Sequence, residues 1–364
     1  MSVTYPAFKA AACHIAPIFL DSAKSVDKAV SWIGEAARAG ASLIAFPESF
    51  IPGFPVWAAL RAPIYNHDFF RALAREALRL DGPEIARIRA EARRNSVYVS
   101  LGFTEGTDIS VGCLWNSNVL IGSDGQILNL HRKLVPTFYE KLIWANGDAR
   151  GLRVTQTEIG RIGVLICGEN TNPLARYAMM AEGEQVHIST YPPSWPTRPA
   201  VDERAYDLRR AIEIRAGAHA FEAKVFNIVS SGFADQRLKD AVGQGDTAIV
   251  ELIERTPRGV SFVVGPSGSI IGKTLSDEEG IVYADIDTAL SVEPKQFHDV
   301  VGYYNRFDIF DLRIDRSRRD PARFLGGNEG VTEVPPDDAP ESFADGARHR
   351  DAAPGGAFRP FRQC

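Results

Sequence analysis

Three residues in this chain combine a reactive side chain with the same local setting. Cys167 follows the apolar run IGVLI, Glu48 follows LIAFP, and Lys133 follows ILNLHR. Each sits at the carboxyl end of a run that reads as a buried strand, and in open α/β sheets that edge is where ligands bind. A thiol, a carboxylate and an ammonium delivered into one crevice would support nucleophilic chemistry. A thiol attacks as thiolate, so Glu48 serves as the base that takes the proton, while Lys133 favours negative charge beside it. Cys167 then adds to an electrophilic carbon. The heteroatom on that carbon gains negative charge, which Lys133 and the backbone N–H of Gly168 can stabilise. Gly168 also lets the backbone come close to that atom.

Taken singly, each residue has a plainer reading. A buried cysteine is usually a small inert hydrophobe, a loop glutamate often caps a helix, and a strand-end lysine is usually a solvated edge charge. The combination is what points to chemistry, and the elements that would position it must therefore be found.

Short apolar runs alternate with amphipathic stretches through the first three hundred residues, the pattern of strands buried in an α/β architecture. Strands are expected at FKAAACHI, ASLIAFPES, SVYVSLGFTEG, LWNSNVLIG, QILNLHRKL, RIGVLICGE, QVHISTY, AKVFNIVSS, GVSFVVGP and GIVYADID. Helices are expected at SVDKAVSWIGEAARAG, DFFRALAREALRL, PEIARIRAEARRN, NPLARYAMMAEG and AYDLRRAIEIRAGAHAFEA. In the fourth of these Asn172 can cap, and Pro173 stands in the first turn, where its missing N–H costs nothing. GSDG at 122–125 and GPSG at 265–268 read as hairpin turns. From residue 311 the chain turns to charge, Pro and Gly with little to bury. The expected organisation is a domain over 1–310 and a polar tail over 311–364, disordered or ordered against another subunit.

The 364 residues, 45% of them hydrophobic, can bury a large core. With 41 Lys and Arg against 46 Asp and Glu, the balance is mildly acidic, and no basic stretch offers a surface for nucleic acid. Cys13, Cys113, Cys167 and Cys364 form no C-x-x-C pair and have no histidine at ligand spacing, so reduced thiols and no metal are expected. The first residues lack a basic region ahead of their apolar ones, and no apolar run approaches the roughly 18 to 20 residues of a membrane span. A cytoplasmic protein is expected.

The motifs around the three residues resemble the nitrilase branch of the carbon-nitrogen hydrolase superfamily. FPESFIPGFPVW at 46–57 is similar to its glutamate motif, HRKLVPTFYEKLIWANGD at 131–148 to its lysine motif, and LICGENTNPLARY at 165–177 to its cysteine motif, in that order. QVHISTYPPSWP at 185–196 and VGYYNRFDIFDL at 301–312 also resemble nitrilase segments. The resemblance runs from about residue 7 to about 312. It implies a four-layer α-β-β-α sandwich that pairs across a helical surface and extends into spirals or filaments, and it implies no cofactor. Cys167 is implied as nucleophile, Glu48 as general base, and Lys133 as stabiliser of the tetrahedral intermediate. Glu140 matches a second glutamate that positions substrate and Lys133.

One position departs from the pattern. Nitrilases have Trp after the cysteine, and this chain has Gly168, which removes an aromatic wall and widens or reshapes the acyl pocket. Glu169 and Asn170 read as groups that hold the turn. Trp57, Tyr139, Tyr191 and Trp195 lie beside or between the motifs and are candidates for the pocket wall. The activity implied is hydrolysis of a small nitrile to acid and ammonia through a thioimidate and a thioester. Alternatives are an amidase, an amide-forming nitrile or cyanide hydratase, a Cys-His hydrolase using His131 or His187, and a non-catalytic filament scaffold.

Overall fold

The computed structural model describes residues 4–199, 202, 204 and 206–317. Its strands are β1 (Ala7–His14), β2 (Ala41–Ala45), β3 (Tyr98–Gly106), β4 (Leu114–Ile121), β5 (Ile127–Arg132), β6 (Thr155–Thr157), β7 (Gly160–Ile166), β8 (Val186–Tyr191), β9 (Phe226–Ser231), β10 (Ser261–Val264), β11 (Ile270–Leu275) and β12 (Gly280–Asp287). Its helices are α1 (Ser22–Arg38), α2 (Trp57–Leu60), α3 (His67–Glu76), α4 (Pro83–Asn95), α5 (Pro173–Ala181), α6 (Leu208–Ala223), α7 (Gln236–Gly243), α8 (Thr247–Arg255) and α9 (Val292–Phe297).

The strands form two sheets of six, in the orders β12-β1-β2-β3-β4-β5 and β11-β10-β9-β8-β7-β6. In each sheet three neighbouring strands run parallel, β1-β2-β3 in one and β7-β8-β9 in the other, and antiparallel strands flank them. Strand alternation sorts the side chains into layers. On β1, Ala10 and Ala12 join Leu43 and Ala45 from the same sheet and Val186, Ile188, Phe226 and Val263 from the other in one apolar layer between the sheets. Ala11 and Cys13 face the opposite way, towards Val26, Ala29 and Ile33 of α1 and Ile85 and Ile88 of α4. On the far side, Leu208, Ile212, Ala216 and Ala220 of α6 cover Val229, Phe262 and Val264. The result is the expected four-layer α-β-β-α sandwich.

Both hairpin turns are present, joining β4 to β5 and β10 to β11. Asn172 caps α5, accepting from the N–H of Leu174 at 3.0 Å. Helix α3 ends at Glu76, short of the expected Leu80, because Leu78 leaves the helix to bridge Glu105 at the sheet edge. Helices α7 and α8 were not expected. They are eight and nine residues long, too short for a 3.6-residue period to stand out, and are separated by Gln244, Gly245 and Asp246. Of the tail expected from residue 311, only 311–317 belongs to the described residues, and the rest lies outside them. No described helix is long and apolar enough to cross a membrane.

Candidate active site

Glu48 stands three residues past the end of β2, where the chain turns sharply: Ser49 takes a left-handed φ of 45°. The turn lies flat on β3 because residue 102 is glycine. A Cβ there would fall 2.1 Å from the Pro47 carbonyl oxygen and 3.0 Å from Glu48 Cα, so any side chain would lift Glu48 away. Asn116 of β4 donates from Nδ2 to Glu48 Oε1 at 2.7 Å.

Lys133 is the first residue after β5. Its N–H bonds the Asn116 carbonyl at 2.8 Å, so one residue of β4 orients both the base candidate and the lysine. Gly147 lies against this segment, where a Cβ would meet the Arg132 and Lys133 carbonyls at 2.4 and 2.7 Å. Lys133 Nζ donates to Glu48 Oε1 at 2.7 Å and to Glu140 Oε2 at 2.6 Å, and all three side chains are fully buried. Glu140 comes from a 3-10 turn, Phe138–Leu142, and its Oε2 also accepts the Thr137 N–H at 2.9 Å.

Cys167 arrives from the other sheet, as the first residue past β7 in the 3-10 turn Cys167–Thr171. Its φ is 48°, a left-handed conformation costing a non-glycine residue about 1–2 kcal/mol. The turn aims its Sγ at the carboxylates: Sγ and one oxygen each of Glu48 and Glu140 lie within 4.8 Å of one another. Four residues from three separate motifs therefore meet in one buried cluster. The second oxygens of the carboxylates, Glu48 Oε2 and Glu140 Oε1, have no hydrogen-bond partner among the described residues.

Burial and charge set the protonation of the cluster. Burial raises the Glu48 carboxyl, Lys133 opposes this, and Glu140 adds to it, leaving Glu48 at about 7. Burial disfavours the Lys133 ammonium, but Glu140 and Glu48 outweigh burial and hold it well above its ordinary value. Burial and the Glu48 carboxylate push the Cys167 thiol well up, with Lys133 as partial counterweight. At rest the site is a thiol beside a charged lysine and a carboxylate poised near neutrality. The expected division of labour needs one refinement: Lys133 does not keep a resting thiolate, so the thiol must lose its proton as it attacks.

A third carboxylate ties the two strand ends together. Glu169 accepts the Ile166 N–H at 2.8 Å, the Leu134 N–H at 2.6 Å and a bond from His131 Nε2 at 2.8 Å. One side chain thus clamps the residue before Cys167 to the residue after Lys133, as its turn-holding reading required. The Cys-His alternative finds no support in this geometry. His131 is engaged by Glu169, and His187 by Glu184 and Asn170.

The aromatic candidates divide. Tyr139 stacks on Trp195 with ring centroids 5.5 Å apart, and Trp195 also meets Phe138 and Tyr206. Tyr191 is fully buried in the apolar cluster that includes Cys167. Trp57 is fully buried and stacked on Phe69 at 5.3 Å, in the cluster with Phe54 and Leu73. Gly168 is not simply a gap, since a Cβ there would lie 2.7 Å from Thr137 Oγ1. Asn116, Thr137 and Arg215, which donates to Thr171 Oγ1 and the Tyr206 hydroxyl at 2.7 Å each, escaped the sequence reading. Strand pairing brings Asn116 to the site, the loop after β5 brings Thr137, and the packing of α6 brings Arg215.

A carbon-nitrogen hydrolase family model matches residues 9–295. A cyanide hydratase of Botryotinia fuckeliana (strain T4) is 36% identical over 321 residues, 86% of this chain and 84% of that protein. A nitrilase of Paraburkholderia phymatum is 36% identical over 309 residues, 84% of this chain and 86% of its own. The crystal structure of a carbon-nitrogen hydrolase from Helicobacter pylori G27 has the same fold, with a TM-score of 0.67 at 21% identity, covering 84% of this chain and 97% of that one. By sequence along most of its length and by the architecture of its two sheets, the chain belongs to the carbon-nitrogen hydrolase family.

Proposed function

We propose that this protein is a nitrilase, converting a small nitrile and two waters into a carboxylic acid and ammonia. The observation that carries the reading is the buried cluster in which Lys133 bridges Glu48 and Glu140 within reach of the Cys167 thiol. Cys167 adds through sulfur to the nitrile carbon as its proton passes to Glu48, which returns a proton to the nitrogen and leaves a thioimidate. Glu48 then takes a proton from water as its oxygen adds, giving a tetrahedral intermediate stabilised by Lys133 and the N–H of Gly168. Protonated nitrogen leaves as ammonia. A second water, activated in the same way, hydrolyses the thioester to the acid and restores the thiol.

The outcome turns on which group the tetrahedral intermediate expels. Loss of the thiol would give an amide from one water, and the cyanide hydratase relative favours keeping this as the second reading. Against it, burial and the neighbouring carboxylates make a free thiolate at Cys167 costly, so expelling protonated nitrogen is the easier path. The test is a panel of aliphatic, aromatic and arylacetic nitriles with acid, amide and ammonia measured separately. Acid matching ammonia is expected. Amide as the main product would make the protein a hydratase, and no turnover of any nitrile would sink both readings.

Glu48 provides a pH test. It acts as base only when ionised, so kcat/KM should rise with pH through about 7, its value in the cluster. Glu48→Gln should remove that limb and reduce kcat/KM by about 10²–10⁴-fold. A limb centred on the ordinary glutamate value would show that the buried carboxyl is not the one titrating.

The reading extends to a cytoplasmic homo-oligomer. Free Cys13, Cys113 and Cys167 suit a reducing compartment. Exposed Tyr303, Tyr304, Phe307 and Phe310 offer apolar surface for a second copy.

A further inference from the structure

Asn170 lies three residues past Cys167 and is buried. Its Nδ2 donates to the main-chain carbonyls of Leu165 and Cys167, both at 3.2 Å. Two carbonyls can only accept, so they fix the amide's orientation and point Oδ1 the other way. There it meets His187 Nε2 at 2.9 Å and Ser189 Oγ at 3.1 Å. Ser189 has one hydroxyl proton and a second acceptor in reach, Asn227 Oδ1 at 3.0 Å, so the imidazole is the donor on which Asn170 depends. Yet His187 Nδ1 also faces an acceptor, Glu184 Oε1 at 2.6 Å. A neutral imidazole carries one N–H and one lone pair, and cannot serve two acceptors. The Glu184–His187 pair therefore holds one proton more than a carboxylate beside a neutral imidazole, and that extra proton keeps an N–H on Nε2.

The surroundings are built for this. Glu184 Oε1 occupies the place of a missing side chain on β7, 1.9 Å from where a Cβ of Gly163 would stand. His219 of α6 gives its Nε2 to Glu184 Oε2 at 2.6 Å, its ring 3.9 Å from that of His187. Glu184, His187 and His219 are all buried. Burial disfavours the Glu184 carboxylate, but His187 and His219 bring it down to about 2, while burial and His187 lower His219 to about 4. The remaining nearby charge is Arg176 of α5, paired with Glu222 of α6 at 2.7 Å. One carboxylate and one imidazolium thus balance, and the second imidazole is neutral.

We propose that Glu184, His187 and His219 form a proton-locked brace for the nucleophile: the His187 Nε2–H holds Asn170, Asn170 holds the carbonyls on either side of Ile166, and the turn keeps Cys167 in its left-handed conformation facing Glu48. These are positioning residues that touch neither the thiol nor the substrate. The proposal rests on Cys167 as nucleophile, and its failure is separable from that of the nitrile reading because thiol reactivity can be read without turnover.

The test compares three full-length variants with the parent from about pH 6 to about pH 9. The readouts are kcat, KM and the iodoacetamide alkylation rate at Cys167, identified by peptide mass spectrometry. His187→Gln keeps an N–H donor at the Nε2 position but cannot titrate, so its ratio to the parent should stay flat with pH and close to one. His187→Leu removes the donor and should lower kcat and alkylation by about tenfold or more at every pH, as expected for a displaced reacting group, with KM changed by less than about twofold. Glu184→Gln removes the charge that keeps the imidazole protonated. Its ratio should be near one at the acid end and fall about tenfold as the proton is lost. Should His187→Leu fail to fold, the other two decide the matter. A flat Glu184→Gln ratio, a His187→Gln variant as slow as the leucine variant, or a stoichiometric metal ion bound by the purified protein would each overturn the brace.

Discussion

On the proposed reading, Cys167→Ala is expected to abolish ammonia release from every nitrile the parent protein turns over, with a loss of at least about 10⁴-fold, because the covalent intermediate of that reading forms on its sulfur. The fold survives. Alanine carries the same left-handed penalty as cysteine at φ 48°, and removing one buried sulfur leaves a cavity costing about 1 kcal/mol. Removal of a thiol pressed against two carboxylates works in the opposite direction. The expected result is therefore an inactive protein with a melting temperature close to that of the parent, still able to bind the nitrile by calorimetry. Residual ammonia above about one part in ten thousand, with the variant's purity established, would mean that another group attacks the carbon.

Lys133→Met is expected to damage both chemistry and stability. Methionine has nearly the shape of lysine without the charge, so the change removes the ammonium from between Glu48 and Glu140, which it holds at 2.7 and 2.6 Å. Losing the stabilising cation lowers kcat/KM by about 10²–10³-fold or more. Two carboxylates left together in the interior without a partner cost about 3–5 kcal/mol. This second effect has a definite pH sense. Unpaired buried carboxyls have folded-state values above their unfolded ones, so the folded state binds more protons and stability falls as pH rises between the two. The variant should melt closest to the parent near pH 5 and fall behind it towards pH 8. Adding Glu140→Gln should restore much of the lost stability and none of the activity. A Lys133→Met protein as stable as the parent at pH 8 would mean that the carboxylates are not confined as described.

The reactive trio was legible because each member follows an apolar run, and the ends of such runs fall at one edge of a sheet. Glu140 required the family resemblance, since nothing in KLVPTFYEK alone distinguishes it from a surface acid. Asn116 was not legible: in LWNSNVLI it looks like an ordinary polar residue on a half-buried strand. Its importance appears only when β4 pairs with β5 and its carbonyl meets Lys133. The Glu184, His187 and His219 set was hidden for the same reason. Glu184 sits in a turn, His187 on a strand and His219 on a helix, and only packing of α6 over β8 joins them. Periodicity reports which way a side chain faces, and it carries no information about what lies opposite.

Glu48, Asn116 and Lys133 hang from one sheet and Cys167 from the other. The distance between the Cys167 sulfur and the Glu48 carboxylate is therefore a dimension of the whole sandwich. What sets it is the filling between the sheets, where Ala10, Ala12 and Ala45 on one side face Val186, Ile188 and Val263 on the other. Alanines interspersed with Leu43, Leu120 and Val282 on one side, and branched residues with Phe226 on the other, act as a shim, holding two plates at a working clearance. The tolerance of such a shim is narrow, because packed interiors transmit an added methylene as a shift of the backbone. Drift in this middle layer is thus felt at the separation of Cys167 and Glu48 as well as in stability, although its residues form a cluster separate from the one that holds the thiol.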